Sequence, residues 1–219
     1  MNRPKSNNKE LKLYNETGIL RCMKVFFQLP EKEFTLSDLA SEAQVAKQNI
    51  KKIAVLLHSQ GLIDIDKWGK RIWRIKARQE EWKFLKARLV YNISQLYERG
   101  FVEVIEKIFD RPRVISVFGS YRYGNDISTS DIDIAIETSF IKEYSIMNTE
   151  DLRKLIPASR DHIEMLKNLE EAFGRQFQFH LFNRKDFHKE GFRNNVFNGI
   201  VNGIVLYGFL DIQDEKRKS

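Results

Sequence analysis

Cysteine is nearly missing from this 219-residue chain. Cys22 stands alone, which excludes an intramolecular disulfide and argues against a cysteine-based zinc site. Neither glycine nor any heptad recurs with a period, which excludes collagen, repeat solenoids and long coiled coils. Long hydrophobic runs are missing too. The longest are strand-sized, so no membrane span is expected. The opening stretch MNRPKSNNKE is polar with no apolar segment behind it, so no secretory signal is expected either. These absences predict a cytoplasmic protein with no membrane partner. What is present, 42% hydrophobic and 31% charged residues, suits a globular chain with a sizeable core in one large domain or two small ones.

The net charge of +7 is unevenly placed. Met1 to Arg78 holds 16 Lys and Arg against 8 Asp and Glu, Gln79 to Asp110 holds 5 against 6, and the remainder 16 against 16. A basic first third joined to a neutral remainder suggests a nucleic-acid module attached to something else, against the plainer alternative of a domain that is merely basic.

The first third reads as helix, helix, turn, helix, hairpin. Asn15 to Leu29 spaces Ile19, Met23, Phe26 and Phe27 helically before Pro30 stops it. Thr35 can cap a second helix over LSDLASEA. A third, AKQNIKKIAVLLHSQ, closes at Gly61 and buries Ile50, Ile53, Ala54 and Leu57, leaving Lys47, Gln48, Lys51 and Lys52 outward. Leu62–Ile65 and Arg71–Ile75 alternate as two strands around Lys67–Trp68–Gly69–Lys70. The string TLSDLASEAQVAKQNIKKIAVLLHSQGLI resembles the winged helix-turn-helix domains of transcriptional regulators. That resemblance implies base contacts from Lys47, Gln48 and Asn49 and phosphate contacts from Lys51, Lys52, Lys67, Lys70 and Arg71. Protein docking or a simply solvated face are the alternatives. From Gln79 the pattern is helical again, with Trp82, Leu85, Leu89, Ile93, Leu96 and Tyr97 as the expected buried stripe. FVEVIEKIF follows as a further helix.

The chemistry concentrates in VISVFGSYRYGNDISTSDIDIAIE. A strand over Val114–Phe118 runs into Gly119-Ser120, and a second strand spans Asp131–Ile136. Period-two geometry puts Asp131 and Asp133 on one face and Ile132, Ile134 and Ile136 on the other. Two adjacent carboxylates need a cation or a cluster of donors between them, and hard oxygen ligands on a strand suit Mg²⁺. Gly119 lets backbone approach a phosphate, and Ser120 adds a hydroxyl and an amide at a helix start.

Gly119-Ser120, ten intervening residues, then Asp131-x-Asp133 resembles the signature of the nucleotidyltransferase superfamily of DNA polymerase β, especially its minimal members. Gly124 and Ser130 fit as well. The resemblance spans about Asp110 to Gly208. It implies Asp131 and Asp133 as catalytic metal ligands for Mg²⁺, Gly119, Ser120 and Arg122 as the nucleotide-binding residues, and a nucleoside triphosphate as substrate or ligand. Where the family carries a third carboxylate, after Gly174-Arg175, this chain has Gln178. Gln cannot supply the charge for a second metal or act as a base. His180 shares its face and reads first as a hydrogen-bonded structural residue. Glu137 lies too far along the strand to stand in. Asp186, His188 and Glu190 form no metal spacing and read as surface residues, and His58 and His162 lie on helices without identifiable partners.

The expected fold is therefore α+β: a winged helix domain over 1–78, a helical connector over 79–109, and over 110–219 a nucleotidyltransferase-like α/β domain with a small mixed sheet flanked by helices. Expected partners are DNA at the winged helix, a protein acceptor or partner, and a second copy of the chain. The leading function is Mg²⁺-dependent transfer of a nucleoside monophosphate to an unidentified acceptor. The alternatives are a DNA-binding regulator with an inactive, nucleotide-binding fold, and an antitoxin-like role.

Overall fold

The computed structural model describes residues 17–68, 72–156, 159–188 and 196–211. Lys70, Arg71, Glu190, most of the helix predicted over Phe187–Asn198, and the charged tail lie outside the described residues.

Three helices come first: α1 (Gly18–Gln28), α2 (Leu36–Glu42) and α3 (Lys47–Ser59). Thr35 begins α2 as its spacing predicts. Its hydroxyl accepts from Asp38 N at 3.2 Å while the Asp38 carboxylate accepts from Thr35 N at 3.1 Å, satisfying two orphan donors reciprocally. Strands β1 (Ile63–Trp68) and β2 (Ile72–Ala77) pair antiparallel, with Ile65 opposite Ile75. Lys67 and Trp68 belong to β1 itself, not to a turn. Phe34 exchanges both backbone hydrogen bonds with Ile75, tying the α1–α2 loop to the hairpin. Phe26, Phe34, Leu39, Ile50, Ala54 and Ile75 form the core of this unit.

The connector helix α4 (Trp82–Glu98) departs from the expected stripe. Its buried residues are Phe84, Arg88, Asn92, Gln95 and Leu96, while Trp82 is 68% exposed and Tyr97 40%. The helix is rotated because two different surfaces meet it. Phe27 of α1 packs on Phe84 and Tyr91, with ring centroids 5.5 and 5.2 Å apart. On the other side a polar loop after α6 (Gly119–Tyr123) claims Arg88 and Asn92.

Helix α5 (Phe101–Ile108) leads into the second unit, a five-stranded mixed sheet. Its strands are β3 (Val114–Phe118), β4 (Ile132–Glu137), β5 (Ser145–Met147), β6 (Phe177–Phe182) and β7 (Ile204–Gly208), in the order β5-β6-β4-β3-β7. Only β4 and β6 run parallel; the other neighbours are antiparallel. Helices α7 (Thr149–Leu155) and α8 (Arg160–Phe173) and a short α9 (Asn198–Val201) complete the unit. The segment β5–α7 has no counterpart in the sequence reading. Ser159 precedes α8 but makes no capping bond; its hydroxyl donates to Ile108 O at 3.5 Å instead.

The period-two reading of the central strands holds. Ile132, Ile134, Ile136, Phe177, Phe179 and Leu181 share one fully buried face with Leu166 of α8 and Ile105 of α5. The opposite face carries Asp133, Gln178 and His180. Among the described residues no helix is long and apolar enough to cross a membrane.

Candidate active site

The site forms where β3, β4 and β6 lie side by side. Asp133 pairs in register with Phe118 on one side and Gln178 on the other. The chain leaves Phe118 through Gly119, whose φ of +67° is the left-handed conformation that L side chains resist. A methyl group there would run into the Asp133 carboxylate. Glycine is therefore required twice, by conformation and by contact. Ser120 follows in the first turn of α6, and Asp131 stands exposed just before β4.

Gln178 sits beside Asp133, where the resemblance puts the family's third carboxylate. Its Oε1 accepts from His180 Nε2 at 3.0 Å, and Tyr144 donates its hydroxyl to His180 Nδ1 at 2.7 Å. Both ring nitrogens are thus engaged, and Nε2 also lies 3.6 Å from Asp133 Oδ1. His180 is buried against the edge of Phe118. Burial, with the Asp133 charge adding to it, pushes the Tyr144 phenol up to about 12, so the hydroxyl keeps its proton as donor. The histidine predicted as a hydrogen-bonded structural residue is one, at the wall of the acidic pair.

The loop between α6 and β4 is fixed from beneath. Asp126 is fully buried and takes a guanidinium from each of two arginines, Arg88 NH2 and Arg175 NH1, both at 2.8 Å. Asn92 donates to its second oxygen at 3.0 Å. Arg88 also donates to the Asp126 carbonyl, and Arg175 donates to the carbonyl of Ser130 at 3.2 Å, the residue before Asp131. Burial pushes the Asp126 carboxyl above its ordinary range while the two guanidiniums pull it back. Sequence reasoning missed this group entirely. The only local signal is Arg88 and Asn92 four apart on α4 between Phe84 and Leu96, a polar step inside a buried helical row. The Ser130 hydroxyl accepts from Ile127 N at 3.0 Å, and the exposed tip Ser128 donates from N and Oγ to Glu31 of the first unit, at 3.2 and 3.0 Å.

Other predicted residues fall elsewhere. Arg122 folds over its neighbour's ring, 4.3 Å from the Tyr123 centroid, and among the described residues it makes no hydrogen bond or ion pair with the acidic pair. Glu137 is buried at the far end of β4, 3.8 Å from Arg113 Nε. Asp186 is not a surface residue: it is fully buried and accepts from Asn183 N at 2.9 Å within a 3₁₀ turn. His58 Nδ1 lies 2.9 Å from Ile63 O. Lys47, Gln48, Asn49, Lys51 and Lys52 are exposed along the start of α3. Lys51 of α3 and Lys67 of β1 converge on the ring of Trp73, at 5.5 and 5.0 Å.

For a cation, the donors at hand are the Asp131 and Asp133 carboxylates. Among the described residues no group of three or more His, Cys, Asp or Glu could hold a metal ion. Two hard carboxylates beside a cleared glycine fit one Mg²⁺ that takes its other ligands from water and phosphate.

Residues 98–202 match the family model of the nucleotidyltransferase domain. Comparison with curated proteins and with solved structures gives no match. The family match supports nucleotidyl transfer in general, and it covers β3, β4 and β6 with the residues just described.

Proposed function

We propose that this protein transfers a nucleoside monophosphate from a nucleoside triphosphate to an acceptor hydroxyl, in a site built on Gly119, Ser120, Asp131 and Asp133. The carrying observation is the clearance at Gly119: side-chain-free backbone lies directly against a carboxylate of the matched domain. Asp131 and Asp133 would hold Mg²⁺, which when bound neutralises phosphate charge and aligns it for attack. The backbone at Gly119 and the hydroxyl and amide of Ser120 face the phosphates. The acceptor oxygen forms a bond to the α-phosphorus, the bond from that phosphorus to the bridging oxygen breaks, pyrophosphate leaves, and the hydroxyl proton passes to water. His180, held by Gln178 and Tyr144, walls the site 3.6 Å from Asp133. Catalysis of this kind is mostly positioning and electrostatics, so a rigid loop beneath Asp131 serves it directly.

The test is transfer of label from an α-³²P-labelled triphosphate, with and without cell extract as acceptor source. Asp133→Asn keeps the shape and removes a charge, so label transfer and Mg²⁺-dependent triphosphate binding should both collapse while thermal unfolding is unchanged. Equal triphosphate affinity in the two proteins would overturn the assignment.

A second reading concerns the first unit. The convergence of Lys51 and Lys67 on Trp73 makes one basic surface from α3 and the hairpin, which favours duplex DNA binding by a winged helix. Affinity for DNA should then fall by roughly 0.9 log unit per log unit of salt for each phosphate neutralised. Lys51→Glu with Lys52→Glu should abolish binding at low salt; binding unaffected by that pair sinks the reading.

A further inference from the structure

The rotation of α4 leaves Trp82 with no place in any core, and its indole is 68% exposed. It borders a cleft of about 170 Å³ between α4 and the end of α6. Leu85 and Leu89 form the floor, and Arg122, Tyr123 and Asn125 the opposite wall. The cleft exists because the two helices touch: a methyl group at Gly124 would strike the backbone of Leu85. Each exposed ring carries a cation on its face. Lys86 Nζ lies 4.1 Å from the Trp82 centroid, and the Arg122 guanidinium 4.3 Å from that of Tyr123, itself 50% exposed. Among the described residues no carboxylate lines the cleft. The Arg122 Nε is buried and makes no hydrogen bond among the described residues, while its guanidinium lies over the Tyr123 ring.

We infer that this cleft binds a single-stranded nucleic acid, one base stacking at Trp82 and Tyr123 while its phosphates meet Lys86 and Arg122. Three observations select that occupant. The volume is well below the range of about 300–1,000 Å³ that holds a drug-sized molecule, so it admits one ring and leaves the rest of the ligand outside. The charge is wholly positive, which suits a polyanion passing over it. Each ring is at least half exposed with a cation over one face, and only unpaired bases offer a free face to stack against such rings. The place is equally specific: α6 carries Gly119 and Ser120 at one end and this cleft at the other, about 7 Å apart along five residues of helix. Resting on the transfer reading above, the cleft would hold the acceptor strand beside the triphosphate.

The experiment uses the full chain carrying Asp133→Asn, without triphosphate and in chelator, so that binding is read separately from transfer. Fluorescein-labelled single-stranded adenylate 12-mers, one RNA and one DNA, are titrated at low salt by anisotropy. Binding of either is expected. Trp82→Ala and Tyr123→Ala should each weaken it about 5- to 150-fold, the range that loss of one stacked base gives. Trp82→Phe should retain most of the affinity, and Lys86→Ala should flatten the salt slope by about 0.7, the value for one phosphate of a single strand. Lys51→Glu with Lys52→Glu removes the basic surface of the first unit, and in that background the losses in Trp82→Ala and Tyr123→Ala should persist. No binding by either 12-mer overturns the inference, as do unchanged affinities in both alanine variants. A duplex or an acidic peptide that binds better, with the same loss in Trp82→Ala, also overturns it. Failure of label transfer in the Asp133-intact protein with this binding intact would instead count against the transfer reading alone.

Discussion

Asp126 and Asp131 stand on the same loop between α6 and β4, and the protein treats them in opposite ways. Asp126 is sealed under Arg88 and Arg175, with Asn92 taking its remaining oxygen, and every charge in that group has its partner inside the protein. Asp131 is exposed, and Asp133 beside it has a side chain one-quarter exposed that lies 3.6 Å from His180 Nε2. A buried carboxylate with two guanidiniums needs nothing more and acts as an anchor. A paired set of open carboxylates on a fixed frame suits the cation proposed above, one that arrives with its ligand. The anchor and the site are connected through Arg175, which grips Asp126 with one contact and the carbonyl of Ser130 with another.

The most direct way to break this comparison is Asp126→Ala. It leaves Arg88 and Arg175 buried without their counter-charge, and removing one partner of a buried pair typically costs about 3–5 kcal/mol. Chemical denaturation should show a loss of that size. Transfer should fall with it, because the backbone before Asp131 loses its hold. A loss below about 1 kcal/mol, the level of an exposed pair, would mean that the buried group does not organise the loop.

Gly119→Ala comes next. The positive φ and the collision with Asp133 together should destabilise the protein by about 1–3 kcal/mol. The effect on transfer should be larger than the effect on stability, about a hundredfold, because the displaced group is Asp133 itself. A variant with normal stability and normal transfer would show that the clearance is not used.

Gln178→Asp sharpens the comparison by adding a third open carboxylate in register with Asp133. In chelator the like charges should lower the melting temperature, and Mg²⁺ should restore it. Transfer should rise, since a positioned base is worth about a hundred- to ten-thousand-fold. If neither the activity nor the Mg²⁺ dependence of stability changes, Gln178 does not occupy a vacated carboxylate position. At the other end of β4, Glu137 gives a smaller effect with a definite sign. Burial raises its carboxyl above the ordinary 4.5, against the pull of Arg113 and Arg184. The folded state then binds the proton more tightly than the unfolded one. Its contribution is greatest below the unfolded value and is lost as pH rises through the folded value. Glu137→Gln should remove that decline from a series of unfolding curves between pH 4 and 7, about the window where a raised carboxyl titrates.

The open half of this comparison was legible in the sequence and the sealed half was not, for a physical reason. Gly119 and Ser120 directly follow β3, and Asp131 and Asp133 stand at the start of the adjoining β4, so their spacing along the chain fixes their spacing in space. Asp126 depends on Arg88, 38 residues before it, and on Arg175, which arrives on a different strand approach. Polar residues on a helix normally mark its solvent face, and that rule turned the expected stripe of α4 the wrong way. The true stripe, Phe84–Arg88–Asn92–Leu96, reads as buried only when its polar members have partners to meet. Strand β5 is three residues long, too short for alternation to register, yet its neighbour Tyr144 sets the tautomer of His180. Asp186 shows the same blindness on a smaller scale: its charge suggests surface, while its bond to Asn183 N buries it.

The smallest expected effect tests the outer end of the loop. Ser128 donates twice to the Glu31 carboxylate, a tie between the α1–α2 loop of the first unit and the loop that bears Asp131. Both residues are exposed, so water can replace these bonds at little cost. Glu31→Ala should therefore change stability by no more than about 0.5 kcal/mol, as surface substitutions do. If the buried anchor alone holds the loop, label transfer by Glu31→Ala should stay within twofold of wild type, and adding Ser128→Ala should make no further difference. A tenfold loss of transfer at unchanged stability would give the opposite answer: the loop would take its working position from the first unit. DNA bound there should then alter transfer in wild type and not in Glu31→Ala, a difference that a transfer assay with and without duplex reads directly.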